Sequence, residues 1–364
     1  MFLPSGNGAG GRIQMAIDEA KLNEFMGRAV GDMGSALSAA LVWVGDRLGL
    51  YQALAQGPAT PADLARRTGT TERYLREWLA NQAAGAYVQY DAASGRYSMS
   101  EEQAFALAQE GSPAFIPGAF QVIAACFAAR ERVAECFRSG AGIEWGDQHS
   151  CLFEGTERFF RPGYAANLVS SWLPALEGVV DRLKQGAQVA DVGCGLGASS
   201  ILMARAFPRS RFVGFDYHAG SVETARQRAR AAGLDGRVKF EVARSTDYPG
   251  KGYDLVAHFD SLHDMSDPLG AARHVRETLA PNGAWMIVEP FAHDRVEQNL
   301  NPVGRVFYGA STMLCVPNSL AGHGPALGAQ AGEARLREVV LAAGFRGLRR
   351  ATETPFNIIL EARP

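Results

Sequence analysis

Four kinds of residue stand where their types and spacing could do chemistry. The run Asp191-Val192-Gly193-Cys194-Gly195-Leu196-Gly197 gathers three glycines at one bend, where backbone can approach a ligand and adopt torsions closed to other residues. Asp216 follows Phe212-Val213-Gly214-Phe215, about 20 residues beyond that bend, where a carboxylate can accept hydrogen bonds from both hydroxyls of a ribose. His263 lies in Phe259-Asp260-Ser261-Leu262-His263-Asp264-Met265-Ser266-Asp267-Pro268; an imidazole titrates near neutral pH and can take a proton from an acceptor hydroxyl. Glu289, after Trp285-Met286-Ile287-Val288, can select the tautomer of such a histidine and stabilise its imidazolium. Each residue has a plainer reading beside this one: a tight turn, a helix cap, a packed loop residue or a strand-end carboxylate. His258, Asp260, His263 and Asp264 are also metal-ligand types, but side chains crowded into one strand end and turn need not converge, and no metal is expected.

The elements around these residues predict their placement. Short apolar runs at 187–192, 211–215, 237–242, 253–258, 284–288, 346–350 and 357–362 read as strands. Helical intervals at 198–206, 220–232, 268–279 and 332–343 separate most of them, which predicts a mainly parallel sheet covered on both faces. The last two runs have no helix between them and predict a terminal hairpin. Upstream, residues 61–69 and a helix capped by Thr70 or Thr71 precede two short strand candidates around Asp91-Ala92-Ala93-Ser94, the order of a winged helix. Residues 13–48 carry a long helical stripe of Ile17, Phe25, Met26, Leu37, Leu41, Val44 and Leu48, with Gly27, Gly31, Gly34 and Gly45 permitting close packing or kinks. Such a stripe serves either as domain core or as a dimer surface. Three regions result: 1–100, winged-helix-like; 101–185, a helical connector; and 186–364, an α/β domain. Trp145, Phe153, Phe160 and Tyr164 of the connector are candidates for the wall of a cavity between domains.

Composition narrows the function classes. The chain has 364 residues, enough for two or three domains, and 36 basic residues against 38 acidic ones leave no strong field for nucleic acid or an anionic membrane. Glu72 and Glu77 accompany Arg73 and Arg76 on the would-be recognition helix, so a structural or dimerising role is expected for the head in place of operator binding. Five scattered cysteines, without a CxxC pair, suggest a reducing compartment, and a cytoplasmic location is expected. Residues 1–11 read as a flexible lead-in, and no run is long and apolar enough for a membrane span.

The Asp191-to-Gly197 run with Asp216 resembles the cofactor site of class I S-adenosylmethionine-dependent methyltransferases. The resemblance implies a Rossmann-like seven-stranded sheet. It also implies a cofactor site made by Asp191, Gly193, Cys194, Gly195, Gly197, Asp216, Tyr217, Ser245 and Asp260; Ser245 stands where the family often has an acid, with Asp247 slightly beyond. Nicotinamide or flavin is the rival ligand, but the short DVGCG run fits the methyl donor better than the longer GxGxxG signature. Residues 260–268 are similar to the HDWSD loop of winged-helix small-molecule O-methyltransferases, with Met265 in place of tryptophan. That likeness implies His263 as general base and Glu289 as its orienting acid. A second acid of that family has no clear counterpart, since Gln330 stands near its place and Glu333 three residues later. Trp285, Phe307, Tyr308 and Met313 are expected near the acceptor, a small and partly apolar molecule, with a homodimer as the expected assembly. Transfer to oxygen, nitrogen, carbon or sulfur stays open, as do a ligand-responsive regulator and a non-catalytic cofactor-binding protein.

Overall fold

The computed structural model describes residues 17–364; the lead-in at 1–11 lies outside them. The chain begins with the long helix α1 (Glu19–Arg47), started by Asp18, whose carboxylate caps the amides of Ala20 and Lys21. Short α2 (Leu50–Leu54), α3 (Pro61–Thr68) and α4 (Glu72–Ala84) follow. Thr60 and Asp63 form a reciprocal capping box that starts α3. Strands β1 (Gln89–Asp91) and β2 (Arg96–Ser98) pair as an antiparallel wing of three residues each. α5 (Glu101–Leu107) completes the head, whose core gathers Val42, Tyr51, Leu64, Trp78, Leu79 and Leu107. Leu107 of α5 packs into that core.

Of the four glycines in α1, only Gly45 is a close contact. A Cβ there would strike Trp78 and Tyr51, whereas Gly27, Gly31 and Gly34 face open space. The stripe divides accordingly: Leu41 and Val44 are half-buried, while Ile17, Phe25, Leu37 and Leu48 are exposed.

The connector contributes α6 (Pro117–Ser139), α7 (Cys151–Asn167), a π turn at Leu168–Trp172, α8 (Leu173–Ala175) and α9 (Val179–Gln185). Arg158 of α7 fastens it to the head: its guanidinium donates to both Asp46 carboxylate oxygens, at 2.7 and 3.0 Å, and to Glu110 at 3.2 Å. With Arg158 and Asp46 largely buried, removing either partner would strand a charge.

The α/β domain alternates β3 (Gln188–Val192), α10 (Ala198–Ala206), β4 (Arg211–Asp216), α11 (Ala219–Ala231), β5 (Val238–Val242), β6 (Tyr253–Phe259), α12 (Pro268–Thr278) and β7 (Leu279–Pro290). After β7 come α13 (Pro302–Ala310), a π turn at Ser311–Cys315, α14 (Val316–Ala321), α15 (Gly332–Ala342), β8 (Gly347–Glu353) and β9 (Asn357–Arg363). The seven strands run in the order β5-β4-β3-β6-β7-β9-β8. The first five are parallel and β9 is antiparallel between β7 and β8, so the terminal hairpin is present. One face packs on α10, α11 and the connector, the other on α12 and α15. Because β3, β4, β6 and β7 are parallel, the segments bearing Gly193, Asp216, His263 and Glu289 gather at one edge of the sheet.

Candidate active site

A cavity of about 580 Å³ opens at that edge, within the usual range for small-ligand sites. Gly193, Cys194, Gly195, Asp216, Tyr217, Ser245 and Asp260 line it, and the connector supplies Trp145, Phe153, Phe160 and Tyr164. Seven of the nine expected cofactor residues thus share one wall with all four expected aromatics.

The other two sit behind that wall. Asp191 is buried, and its Oδ2 accepts from the hydroxyls of Ser199 at 2.6 Å and Ser200 at 2.7 Å, tying the glycine bend to the first turn of α10. Its Oδ1 has no hydrogen-bond partner among the described residues. Burial pushes the carboxyl up to about 6, against the pull of the two serines. Gly197 has φ +81°, and a Cβ there would lie 2.6 Å from Phe240. This glycine serves helix–sheet packing. Gly195, at φ +51°, has nothing among the described residues within 4 Å of such a Cβ, and its open side lies on the cavity wall. Gly193, at φ +75°, is closed by Ser261 Oγ at 2.8 Å.

Asp216 receives the Gly195 amide at 2.9 Å and the His218 amide at 2.8 Å. These bonds aim its carboxyl at the cavity, and burial raises its pKa. Asp247 instead accepts the Arg244 amide at 3.1 Å and shapes its own loop, leaving Ser245 on the wall. The open Gly195, the unpartnered Asp191 oxygen and the aimed Asp216 carboxyl fit S-adenosylmethionine. Gly195 backbone and Asp216 would hold it, with Cys194, Tyr217 and Ser245 beside them.

Asp260 closes the other end. It is a non-glycine residue at φ +49°, an uncommon conformation that marks a constrained site. Tyr164 donates to its Oδ2 at 2.7 Å and Asn357 to its Oδ1 at 2.8 Å. Burial first, then the nearby Glu289 charge, pushes Asp260 up to about 8, despite these donors. The carboxyl therefore joins connector, β6 and β9 at one point of the cavity wall.

His263 lies in a short 3₁₀ turn and is buried. Its Nδ1 pairs with Glu289 Oε2, while Glu289 Oε1 accepts the Leu262 amide at 3.0 Å. Burial acts to lower the imidazole pKa, but the Glu289 carboxylate, with Cys315, outweighs it and holds the group well above its usual range. His258 shows the contrast: buried with only Trp285 Nε1 donating to it at 2.9 Å, it is pushed down to about 3. His263 itself is not on the cavity wall, although Ser261, Asp264 and Met265 around it are.

Several expectations need correction. Trp285 is wholly buried between His258 and Phe345, Phe307 packs on Phe356, and Met313 lies in an apolar cluster with Ala125 and Leu152; these three and Tyr308 are absent from the cavity wall. β7 is covered on both faces, so a side chain near its end need not face a ligand. Gln330 donates to the carbonyls of Phe291 and Ala329, and Glu333 binds Arg337 and Arg350, so neither reaches His263. Among the described residues no His/Cys/Asp/Glu group could hold a metal ion. Asn318 and Asn357 entered the site without a motif to mark them, and Ser261 entered it from within the 260–268 loop.

Comparison with known proteins gives the class. Residues 183–323 match the model of a methyltransferase domain, and residues 36–109 that of an Rv2258c-like winged HTH domain. The chain has the class I S-adenosylmethionine-dependent methyltransferase fold behind a winged-helix-like N-terminal region. Mitomycin 7-O-methyltransferase MmcR has a solved structure similar to it, with TM-score 0.71 at 19% identity over 95% of this chain and 100% of that one. In sequence, 27-O-demethylrifamycin SV methyltransferase of Amycolatopsis mediterranei (strain S699) is 32% identical over 141 residues, 38% of this chain and 46% of that protein. Phosphoethanolamine N-methyltransferase 1 of Arabidopsis thaliana is 32% identical over 135 residues, 36% of this chain and 26% of that protein. The chain thus spans less than half the length of either of these two relatives.

Proposed function

We propose that the chain methylates a small, partly aromatic acceptor at oxygen, using S-adenosylmethionine, with His263 as general base and Glu289 as its orienting acid. The observation that carries this reading is the His263–Glu289 pair beside the glycine bend. The cofactor supplies a methyl group made electrophilic by its sulfonium. Glu289, fixed by the Leu262 amide, holds Nδ1–H and leaves Nε2 to receive a proton. Trp145, Phe153, Phe160 and Tyr164 give the acceptor flat apolar surface and exclude water. Relatives that act on oxygen and on nitrogen both resemble the chain, and the His263–Glu289 pair favours oxygen.

We read the head as an assembly element. In α4, Arg73 pairs with Glu77 and Arg76 with Glu72, which cancels the charge a phosphate backbone would need. The exposed stripe of α1, with Phe25, Val30, Met33 and Leu37, fits a homodimer. Among the described residues no helix is long and apolar enough to cross a membrane.

Calorimetry tests the cofactor, with Asp216→Ala as control; specific binding lost in the variant supports the site. A panel of hydroxyl and amine acceptors then tests the reaction through release of S-adenosylhomocysteine. Turnover of a hydroxyl acceptor that falls at least about 100-fold in His263→Ala supports base catalysis. Turnover of amines alone, indifferent to His263, would replace oxygen with nitrogen.

A further inference from the structure

One side chain on the cavity wall ties three separate segments together. Asn318 stands in the first turn of α14 and lines the cavity with Glu144, Trp145, Tyr217 and Asp264. Its Nδ2 donates to the Asp264 carbonyl at 3.0 Å, next to His263. Its Oδ1 accepts the Trp145 amide at 2.9 Å and the Tyr217 hydroxyl at 3.4 Å. Two donors on one side and a carbonyl on the other fix the orientation of the side chain, and a primary amide serves both at once.

Trp145 belongs to the strap 140–150, which joins α6 to α7. The first half of the strap is fixed. Ile143 is buried and its amide donates to the Pro317 carbonyl at 2.9 Å, while a Cβ on Gly142 would lie 2.0 Å from the Ala321 nitrogen. The second half is less settled. Gln148 is only 6% exposed, yet neither its Nε2 nor its Oε1 has a hydrogen-bond partner among the described residues, a cost that a small movement of the strap would relieve. The Tyr217 link is loose as well: it is the longest of the three bonds to Asn318, and Tyr217 is 48% exposed.

We propose that Asn318 is a positioning residue that carries cofactor occupancy from the Tyr217 end of the cavity to the acceptor end. A nucleoside packed against the Tyr217 ring restricts the phenol and tightens its bond to Asn318. Asn318 then holds the Trp145 amide and the Asp264 carbonyl together, which seats the aromatic wall beside the His263 turn. The cofactor favours the latched strap because it binds that arrangement better, and the acceptor's half of the site is assembled before an acceptor arrives. This inference rests on the reading of Tyr217 as part of the cofactor's wall, and it holds whether the methyl goes to oxygen or to nitrogen.

The experiment is hydrogen–deuterium exchange of the full chain, followed in peptides covering 140–150, with and without saturating S-adenosylhomocysteine. In the wild type this product should slow exchange there by about fivefold or more, the scale of one hydrogen bond. Asn318→Ala and Tyr217→Phe, which keeps the ring, should still bind the product by calorimetry but lose most of that slowing. Asn318→Asp keeps an acceptor for the Trp145 amide and the Tyr217 hydroxyl, and should retain it. A merely structural Asn318 would lower the melting temperature and leave the product-dependent difference unchanged. Product binding without slower exchange in the wild type, or slowing undiminished in Asn318→Ala, overturns the proposal and leaves the cofactor reading standing. Should Asn318→Ala fail to fold, Tyr217→Phe decides in its place. No product binding by the folded wild type removes both.

Discussion

Replacing Glu289 by glutamine changes one atom type at the centre of the site and should reverse the ionisation of His263. Two effects oppose each other on that ring. Burial alone is shown by His258, which has no carboxylate and is pushed down to about 3. The Glu289 charge overcomes a similar burial at His263 and raises it. Two unit charges about 4 Å apart interact by roughly 4 kcal/mol at an effective dielectric constant near 20, and about 1.4 kcal/mol corresponds to one pH unit. Removing the charge should therefore lower the His263 midpoint by about 3 units, from above its ordinary value to below it. The linkage sign follows. With a raised folded-state pKa, the pair stabilises the native protein fully below the unfolded value of about 6.5, and that contribution is lost as pH rises through the folded value. In Glu289→Gln that loss should disappear, and acid should destabilise instead, because a buried neutral imidazole must then be charged. Histidine-detected NMR gives the midpoint, urea unfolding between about pH 5 and 9 gives the linkage, and turnover should fall about 10- to 100-fold. A His263 midpoint within half a unit of wild type in a folded Glu289→Gln protein would refute the reasoning, since among the described residues Glu289 is the carboxylate hydrogen-bonded to the ring.

The two cofactor-loop glycines should separate cleanly. Gly195→Ala faces open space at φ +51°, so it should cost about 1–2 kcal/mol in stability and most of the S-adenosylmethionine affinity, whereas Gly197→Ala drives a methyl into Phe240 and should lower the melting temperature by several degrees more. Tyr164→Phe removes a donor from buried Asp260; a loss of about 1–3 kcal/mol is expected by urea unfolding, growing as pH rises through the Asp260 value of about 8 and the carboxyl ionises. Phe25→Asp with Leu37→Asp should leave the melting temperature nearly unchanged while converting a dimer to a monomer in light scattering; an unchanged mass with a dimeric wild type would place the interface elsewhere.

How far the sequence reached depends on the range of the interaction. The glycine bend, Asp216 and the strand–helix rhythm were legible because each is a local rule: a turn needing positive φ, a carboxylate at a strand end, a period of apolar residues. The charge pairs of α4 were legible for the same reason, lying four residues apart. The wall aromatics could be proposed but not oriented. Trp285 sits in a strand covered on both faces, so local pattern cannot say which of its neighbours is a ligand, and its indole turned to His258. Gly195 and Gly197 are alike in sequence and opposite in role, because what distinguishes them is Phe240, brought in by the strand two places along the sheet. The links that hold Asp260 span 96 residues to Tyr164 and 97 to Asn357, and neither partner belongs to a motif. The chemistry-bearing residues of this chain are therefore written locally, while the groups that set their ionisation are supplied by topology, and substitutions at the second kind are where the proposed mechanism is most exposed to test.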